Sequence, residues 1–348
     1  MKALTVHPMT AGSARLDEVD EPPTTDGSVL VETMAIGVCG TDIEITSGAY
    51  GWAPEGRDRL ILGHESLGRV LEAPTGAPVA AGDLVVGIVR RPDPVPCANC
   101  AVGEWDFCHN GQYTERGIKQ RDGYCSERYR IEPDFVIKID PALGRCGVLL
   151  EPTSVVAKAW EQVDRIGGRA HWAPERAVVT GAGPIGLLAA LIGVQRGLEV
   201  HVLDRVTTGP KPDLVAALGA TYATGTIEDM GTVPDVVIEC TGVASLVFDA
   251  MEHMGPNGVV CLTGVSSSGR SLAVDAGLLN RSLVLANQSI VGSVNANRRH
   301  YEAAAAALSK ADHGWLEGLL NRTVPLDSFG DALVRQPDDV KVVIEINT

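Results

Sequence analysis

The sequence has little positive charge for its length. Its 348 residues include 29 lysines and arginines against 44 aspartates and glutamates, a formal net charge of −15. Nucleic-acid phosphates and anionic membrane surfaces are bound through basic faces, so this composition argues against both kinds of partner. The sequence also lacks an apolar run of about 18 residues, which a membrane-spanning helix needs.

An apolar export signal is missing as well. The N-terminus reaches Asp17 and Glu18 before a long enough apolar stretch has formed. We therefore expect a cytoplasmic protein whose eight cysteines are thiols, metal ligands or core residues rather than disulfides. Three cysteines are clustered, which indicates a metal site, and five stand alone, which is typical of small packed side chains. The clustered ones are Cys97, Cys100 and Cys108, and the isolated ones are Cys39, Cys125, Cys146, Cys240 and Cys261.

Two patterns of hydrophobicity divide the chain. Up to about residue 150, short β-like runs broken by glycine and proline predict an antiparallel barrel or curled sheet. Beyond it, compact apolar strands alternate with helical segments, which predicts a parallel sheet with helices on both faces. We therefore predict an α/β protein in which a nucleotide-binding domain, residues 151–299, is inserted into a β-rich domain, residues 1–150 and 300–348. The predicted strands are 28–36, 65–72, 83–89, 124–130, 135–139, 177–180, 199–203, 235–240, 258–263 and 341–346.

A glycine-rich turn follows the strand 177–180 and opens a helix. Gly181, Gly183 and Gly186 have the spacing that allows a tight turn, close approach to a pyrophosphate and close helix–strand packing. Pro184 and Ile185 begin the helix, whose unpaired N–H groups favour phosphate. The sequence therefore predicts a dinucleotide site here.

Asp204 and Arg205 end the next predicted strand. An acidic side chain at this place binds the adenosine ribose and repels a 2′-phosphate, which favours NAD. Arg205 leaves NADP open as the alternative, because a guanidinium can bind that phosphate.

Four potential metal ligands follow predicted strands or begin the helix near residue 150. Cys39, His64, Glu65 and Glu151 offer a thiolate, an imidazole and carboxylates, which suit a tetrahedral zinc with one exchangeable position. The second histidine of a metalloprotease helix is absent after His64-Glu65.

Five motifs in order along the chain carry a resemblance. They are Cys39-Gly-Thr-Asp42, Gly63-His-Glu65, Glu151-Pro152, the glycine turn and Gly292-Ser-Val-Asn295. Together they resemble the zinc-dependent medium-chain alcohol dehydrogenase superfamily, and residues 89–92, 113–118 and 292–300 resemble its glucose 1-dehydrogenases. The resemblance implies a GroES-like β-rich catalytic domain joined to a Rossmann domain.

The resemblance also implies roles for individual residues. Cys39, His64 and Glu151 would hold a catalytic zinc, with Glu65 close enough to bind it or exchange with water, and Asp42 would orient His64. Thr41 would accept a hydrogen bond from the substrate hydroxyl and pass its proton towards the cofactor ribose, and Glu44 would continue that route to solvent. The cofactor would be NAD, with NADP possible. Its further contacts would be Thr241, Gly264, Val265, Ser293 and Asn295, and the sugar contacts would be Glu115, Glu151 and His300.

The clustered cysteines match three of the four ligands of a structural zinc lobe in relatives. The first cysteine of that pattern is missing, and Asp93 lies near its place. Asp93 is one candidate for the fourth ligand and His109 is another. The alternative is a lobe with three thiols and no metal.

We expect oxidation of glucose or a similar aldose at its anomeric hydroxyl. Val89 counts against glucose, because sugar-oxidising relatives tend to carry a polar side chain there. The alternatives are a dehydrogenase or reductase for another polyol, cyclitol or carbonyl, and a non-catalytic nucleotide-binding relative. The strand-like segment 289–292 could pair across a two-fold axis, so we expect a homodimer or homotetramer.

Overall fold

The structure is a computed structural model that describes residues 1–266 and 271–347, and it divides into two compact units. The first unit comprises Met1–Ser154 and Ala296–Thr348, and the second comprises Val155–Asn295. The domain limits 150/151 and 299/300 stay a prediction from the sequence.

The first unit begins with short strands joined by turns. Glycine and proline interrupt the apolar runs, so most strands are brief. The strands are β1 (Lys2–Val6), β2 (Arg15–Glu18), β3 (Val29–Gly37), β4 (Leu60–Ile61), β5 (Glu65–Glu72), β6 (Leu84–Gly87), β7 (Arg90–Arg91), β8 (Thr114–Arg116), β9 (Gln120–Arg121), β10 (Arg128–Ile131) and β11 (Val136–Lys138). The helices are α1 (Gly40–Thr46) and α2 (Ala98–Ala101), with 3₁₀ segments Thr24–Asp26, Trp105–Phe107, Pro133–Phe135 and Pro141–Leu149.

The second unit is a six-stranded parallel sheet in the order β14-β13-β12-β15-β16-β17. This strand order is the one typical of dinucleotide-binding sheets. Its strands are β12 (Arg176–Thr180), β13 (Glu199–Leu203), β14 (Thr221–Ala223), β15 (Val236–Glu239), β16 (Val259–Leu262) and β17 (Ser289–Gly292). Its helices are α4 (Pro184–Gln195), α5 (Pro210–Ala217), α6 (Ala244–His253) and α7 (Ala276–Leu285), with a 3₁₀ turn at Glu228–Met230, and α3 (Leu150–Gly167) contains the boundary between the units.

The C-terminal segment completes the first unit. It contains α8 (Arg298–Ser309), α9 (His313–Leu319), β18 (Arg322–Pro325), a 3₁₀ turn at Leu326–Ser328, α10 (Phe329–Ala332) and β19 (Val342–Glu345). Strand β19 pairs antiparallel with β3, with Ile344 opposite Ile36, and parallel with β18. The sheet has the order β11-β6-β5-β3-β19-β18, and β10 also pairs with β3. The end of the chain therefore lies inside the N-terminal sheet.

Each unit has its own apolar core. Val31 and Tyr124 belong to the core of the first unit, and Val178 and Val260 to that of the second. The predicted fold class, a GroES-like domain plus a Rossmann sheet, is confirmed. The strand predicted at 124–130 is observed only from Arg128, because Tyr124 and Cys125 donate N–H groups to Gly63 and Leu62 outside a regular ladder.

A helix that crosses a bilayer must be both long and apolar. Over residues 1–266 and 271–347, none of the helices meets both requirements.

Candidate active site

The turn after β3 places Cys39 and Asp42 beside His64. Cys39 precedes α1, and its backbone N–H donates to Asp42 Oδ2 at 2.9 Å, which closes the first turn of the helix. The other carboxylate oxygen, Asp42 Oδ1, lies 3.4 Å from His64 Nδ1. Burial acts to lower the pKa of His64, but Asp42 and Cys39 raise it well above its usual value. The arrangement leaves Nδ1 of the ring facing Asp42.

Cys39, His64 and Glu65 form a group whose ligand atoms all lie within 4.8 Å of one another. Cys39 follows the end of β3, whereas His64 and Glu65 stand at the start of β5, which pairs with β3. Glu151, in the first turn of α3, is not a member of this group but is buried nearby. Burial raises the pKa of Glu151 to about 7, opposed by the charge of His64 and reinforced by that of Glu65.

A buried lysine that was not predicted from the sequence holds Glu65. Lys341 Nζ lies 2.7 Å from Glu65 Oε1 and 2.6 Å from Oε2, and it donates to the Val38 carbonyl at 3.3 Å. The side chains are 3% and 1% exposed. Lys341 stands just before β19, whose pairing with β3 brings it to this site. No local motif marks it, because its partner is 276 residues away in the sequence.

The donor set fits a divalent zinc ion. Thiolate, imidazole and carboxylate are the ligands that zinc takes in proteins. Asp42 Oδ1 and His64 Nδ1 are buried, and neither atom has a hydrogen-bond partner among the described residues. A neutral His64 that binds metal through Nε2 carries its proton on Nδ1, where Asp42 is positioned to accept it.

Thr41 and Glu44 lie on the same helix, α1, but in different surroundings. The Thr41 hydroxyl is 3.9 Å from the Cys39 sulfur and half-buried, beside the metal-ligating group. Glu44 is exposed one turn further along the helix. The structure therefore brings Thr41, but not Glu44, into contact with the ligand group.

Glu115 and His300 both have protein partners. Glu115 Oε1 accepts two hydrogen bonds from Arg90, at 3.0 and 2.9 Å, and the guanidinium of Arg90 stacks 3.8 Å from the Tyr113 ring. His300 is buried in the first turn of α8, where Nδ1 accepts from the Asn297 backbone N–H at 3.0 Å. Val89 is 2% exposed and belongs to the core of the first unit.

The cysteine lobe brings Asp93 together with its three thiols. The ligand atoms of Asp93, Cys97, Cys100 and Cys108 all lie within 4.8 Å of one another. Cys108 Sγ is 3.1 Å from Asp93 Oδ1, and Asp93 Oδ2 is buried without a hydrogen-bond partner among the described residues. Backbone N–H groups of Cys100 and His109 lower the pKa of Cys97 to about 6. His109 is outside this group, and its Nε2 lies 3.2 Å from Asn99 Nδ2.

The glycine turn in the second unit has the shape that its sequence predicts. Gly181 has φ of +89°, which favours glycine, and a side chain at position 186 would place Cβ 1.7 Å from the Gly181 carbonyl oxygen. A Cβ at Gly183 would meet no described atom within 4 Å. Gly183 precedes α4, and Pro184 and Ile185 occupy its first turn. The open space at Gly183 is what a bound pyrophosphate needs.

Asp204 connects the end of β13 to the glycine turn. Its Oδ2 accepts from the Ala182 N–H at 2.6 Å, and its Oδ1 accepts from the Val206 N–H at 3.1 Å. Lys211 Nζ lies 3.4 Å from Oδ2. Burial acts to raise the pKa of Asp204, but these backbone donors and Lys211 hold it below its usual value. Arg205 is exposed.

The other predicted cofactor residues follow the carboxyl ends of the parallel strands. Thr241 comes after β15, Gly264 and Val265 after β16, and Ser293 and Asn295 after β17. Carboxyl ends of parallel strands meet at one edge of a sheet, where ligands of such sheets bind. The Ser293 hydroxyl is buried without a hydrogen-bond partner among the described residues, and Val265 is 84% exposed.

Glu239, which was not predicted from the sequence, organises this edge. The side chain is fully buried and accepts from the Thr180 hydroxyl at 3.1 Å and the Thr241 N–H at 2.7 Å. The backbone carbonyl of Glu239 accepts from the N–H groups of Thr263 and Gly264. An acidic residue at the end of an otherwise apolar strand is the local signal that could have indicated it.

Known protein families and relatives match this chain over nearly its whole length. The model described as glucose dehydrogenase C-terminus matches residues 144–346, and the alcohol dehydrogenase GroES-like domain matches residues 25–141. The chain is 41% identical over 359 aligned positions to a glucose 1-dehydrogenase of Methanocella arvoryzae, covering 99% of each. It is 40% identical to a glucose 1-dehydrogenase of Thermoproteus tenax, covering 100% of each.

A solved structure is similar to this chain over its full length. Glucose dehydrogenase of Haloferax mediterranei, in complex with NADP, zinc and gluconolactone, is similar with a TM-score of 0.92 and 33% identity, covering 100% of each chain. The predicted resemblance is confirmed. With both units matched and full-length relatives at this identity, the chain belongs to the glucose 1-dehydrogenase family of the zinc-dependent medium-chain alcohol dehydrogenase superfamily.

Proposed function

We propose that this protein is a zinc- and NAD(P)-dependent dehydrogenase that oxidises glucose or a similar aldose at its anomeric hydroxyl. The observation that carries the proposal is the group formed by half-buried Cys39 with buried His64 and Glu65. The open glycine turn at Gly183 and the family's glucose 1-dehydrogenases support it. So does the Haloferax mediterranei enzyme, whose complex holds NADP, zinc and gluconolactone.

The chain's own residues prepare the metal site. Cys39, His64 and Glu151 would hold the zinc, and Glu65, whose two oxygens both contact Lys341, would bind it or exchange with water. When bound, zinc supplies Lewis acidity that lowers the pKa of a ligated hydroxyl. Asp42 fixes the orientation of the His64 ring. Thr41 would accept the substrate's hydroxyl proton as it releases its own proton towards the cofactor ribose, and Glu44 would continue that route to solvent.

The remaining contacts divide between sugar and cofactor. Glu115, Glu151 and His300 would bind sugar hydroxyls, and burial of Glu115 and His300 keeps them in fixed positions. A nicotinamide cofactor bound at the glycine turn would supply the acceptor for the hydride, which leaves the sugar carbon with both electrons of its C–H bond.

Asp204 would bind the adenosine ribose and favour NAD. Its carboxylate already has two backbone donors and Lys211, and a carboxylate can accept further hydrogen bonds from ribose. Lys211 partly offsets the negative charge, which keeps NADP as an alternative cofactor.

The Asp204→Ala variant tests this role. We expect it to raise the KM for NAD about tenfold or more, since it removes hydrogen bonds to a charged group. The KM for NADP should change less, because the carboxylate repels a 2′-phosphate. Steady-state kinetics with both cofactors measure the difference, and equal effects would remove the assigned role.

The cysteine lobe would hold a second, structural zinc through Asp93, Cys97, Cys100 and Cys108. Four donors without an open position are typical of structural zinc. We further propose a cytoplasmic protein that is a homodimer or homotetramer. The edge strand β17, which pairs only with β16 in the described sheet, would pair with its copy across a two-fold axis. Light scattering after gel filtration measures the subunit number.

A panel of sugars and alcohols, with both cofactors and in both directions, tests the activity. We expect the protein to oxidise aldoses, and the absorbance of the reduced nicotinamide measures the rate of this reaction. Cys39→Ser should lower kcat at least about a thousandfold, because Lewis-acid stabilisation contributes several kcal/mol. Cys261→Ser, which alters a buried cysteine of the second unit, is the matched control.

Metal analysis after dialysis separates the two zinc sites. We expect two zinc ions per chain in the wild type and one in Cys39→Ser. A single zinc, lost completely in Cys39→Ser, would show that the lobe is empty. Activity on no alcohol or carbonyl with zinc bound would contradict the proposed function.

A further inference from the structure

A third group of potential metal ligands lies in the first unit, apart from the two described above. Its ligand atoms belong to Cys146, His313 and Glu317, and all of them lie within 4.8 Å of one another. Cys146 is on the 3₁₀ segment Pro141–Leu149, and the other two are on α9. The catalytic proposal uses none of these residues.

The local structure brings these side chains together. His313 and Glu317 are four residues apart on α9, so they lie on the same face of the helix. Asp312 accepts from the Trp315 N–H at 2.8 Å and thereby sets where this helix begins. Cys146 Sγ donates to Glu317 Oε1 at 3.4 Å, and Arg145 Nε lies 2.8 Å from Glu317 Oε2. Arg145 therefore leaves Oε1 facing the sulfur.

The donor set and its spacing suit a divalent ion of the zinc class. One thiolate, one imidazole and one carboxylate are ligands that zinc and cobalt share. Bonds of about 2.0 to 2.3 Å in a tetrahedron hold donor atoms about 3.5 Å apart. The distance from Cys146 Sγ to Glu317 Oε1 already meets that spacing. Small side-chain movements would bring His313 to the same distance.

A metal ion could reach these three ligands from solvent on the side of His313. Cys146 is fully buried and Glu317 is half-buried, whereas His313 is exposed. The His313 ring forms neither a hydrogen bond nor an ion pair with any residue in the described ranges. With three protein ligands, the fourth position belongs to water, which makes the ion exchangeable with solution.

We propose that Cys146, His313 and Glu317 form a third, exchangeable binding site for Zn²⁺ or a similar divalent ion. On binding, the sulfur–metal bond replaces the sulfur–hydrogen bond, and the thiol proton leaves to solvent. Arg145 keeps its contact with the second oxygen of Glu317. The ion connects α9 to the segment that leads into α3, and it stabilises the first unit because it binds only where these elements are packed together.

The test is a Co²⁺ titration of the dialysed zinc protein, with its tightly bound zinc in place. We expect one further ion per chain, with a thiolate-to-cobalt charge-transfer band in the near ultraviolet and a rise in thermal stability. Cys146→Ser should abolish the band. His313→Ala should weaken binding at least about tenfold, since loss of even an outer-sphere partner costs that much.

A control variant shows whether an effect on Co²⁺ binding belongs to the proposed site. His171→Ala removes another exposed histidine and should bind Co²⁺ like the wild type. If Cys146→Ser does not fold, His313→Ala decides, because position 313 is exposed. An affinity and band in His313→Ala equal to those of the wild type would overturn the proposal, as would a wild type that binds no further ion.

Discussion

At the residue scale, the pair of Glu65 and Lys341 determines the charge balance beside the metal ligands. Both side chains are almost fully buried, and Lys341 bonds both carboxylate oxygens. A buried pair contributes little net stability when intact, but removal of one partner leaves an uncompensated charge. The pair therefore gives a measurable test of how the site is built.

Lys341→Met should lower the free energy of unfolding by about 3 to 5 kcal/mol in the metal-free protein. The lost ammonium leaves Glu65 buried and unpaired, and it also frees the Val38 carbonyl. Urea unfolding measures the change, with exposed Lys310→Met as the control for loss of one lysine charge. Adding Glu65→Gln to Lys341→Met should recover part of the loss. A change below about 1 kcal/mol would contradict the role of the pair.

Residue type and spacing predict some of the metal ligands but not all of them. Cys39, His64 and Asp93 could be assigned as candidate ligands from residue type and spacing. The choice between Asp93 and His109 could not, because both lie near the cysteines along the chain. The structure groups Asp93 with the thiols, and it directs the His109 ring towards Asn99.

At the element scale, two glycines in the turn between β12 and α4 have different roles. Gly186 packs against the turn itself, since a Cβ there would overlap the Gly181 carbonyl oxygen at 1.7 Å. Gly183 has open space on its Cβ side. One glycine is thus needed for folding of the turn, and the other is needed for what binds there.

Gly183→Ala and Gly186→Ala should therefore behave differently. Gly186→Ala should destabilise the protein by about 1 to 3 kcal/mol through overpacking and should weaken cofactor binding. Gly183→Ala should leave the unfolding midpoint nearly unchanged and weaken NAD(P) binding about tenfold or more, because its methyl group occupies the pyrophosphate position. Calorimetry of unfolding and of cofactor binding measures both. Normal cofactor affinity in Gly183→Ala would place the pyrophosphate elsewhere.

At the scale of the whole molecule, the excess of acidic residues makes paired carboxylates important for stability at low pH. Glu132 accepts from Arg91 at 3.0 and 2.9 Å and also bonds Arg121. Arg91 stacks 4.0 Å from the Phe135 ring. Burial acts to raise the pKa of Glu132, but the two arginines lower it from 4.5 to about 2.

A lowered pKa means that the contribution of Glu132 is complete above pH 4.5 and disappears as the pH falls through about 2. Glu132→Gln should be less stable than the wild type by about 1 to 2 kcal/mol at neutral pH, since the carboxylate is 33% exposed and screened. The difference should vanish near pH 2. Urea unfolding across this range measures it, with exposed Glu55→Gln as the control. A difference that does not depend on pH would contradict the argument.

Much of the molecule could be predicted from its sequence, because the informative signals are local. The strand predicted at 199–203 and the helix beginning at Pro184 match β13 and α4, since period and turn chemistry determine each element within a short segment. The order of motifs along the chain was sufficient to identify the superfamily, since each motif is a local arrangement of glycines or ligands.

Tertiary structure alone decided which distant side chains meet. The return of β19 to β3 places Lys341 on Glu65, and the packing of α9 brings His313 and Glu317 to Cys146, an isolated cysteine in the sequence. Lys341 and Glu65 are 276 positions apart in the sequence, and Cys146 and Glu317 are 171 positions apart. Periodicity and spacing describe a segment and its neighbours, whereas such pairs depend on how whole elements pack against one another.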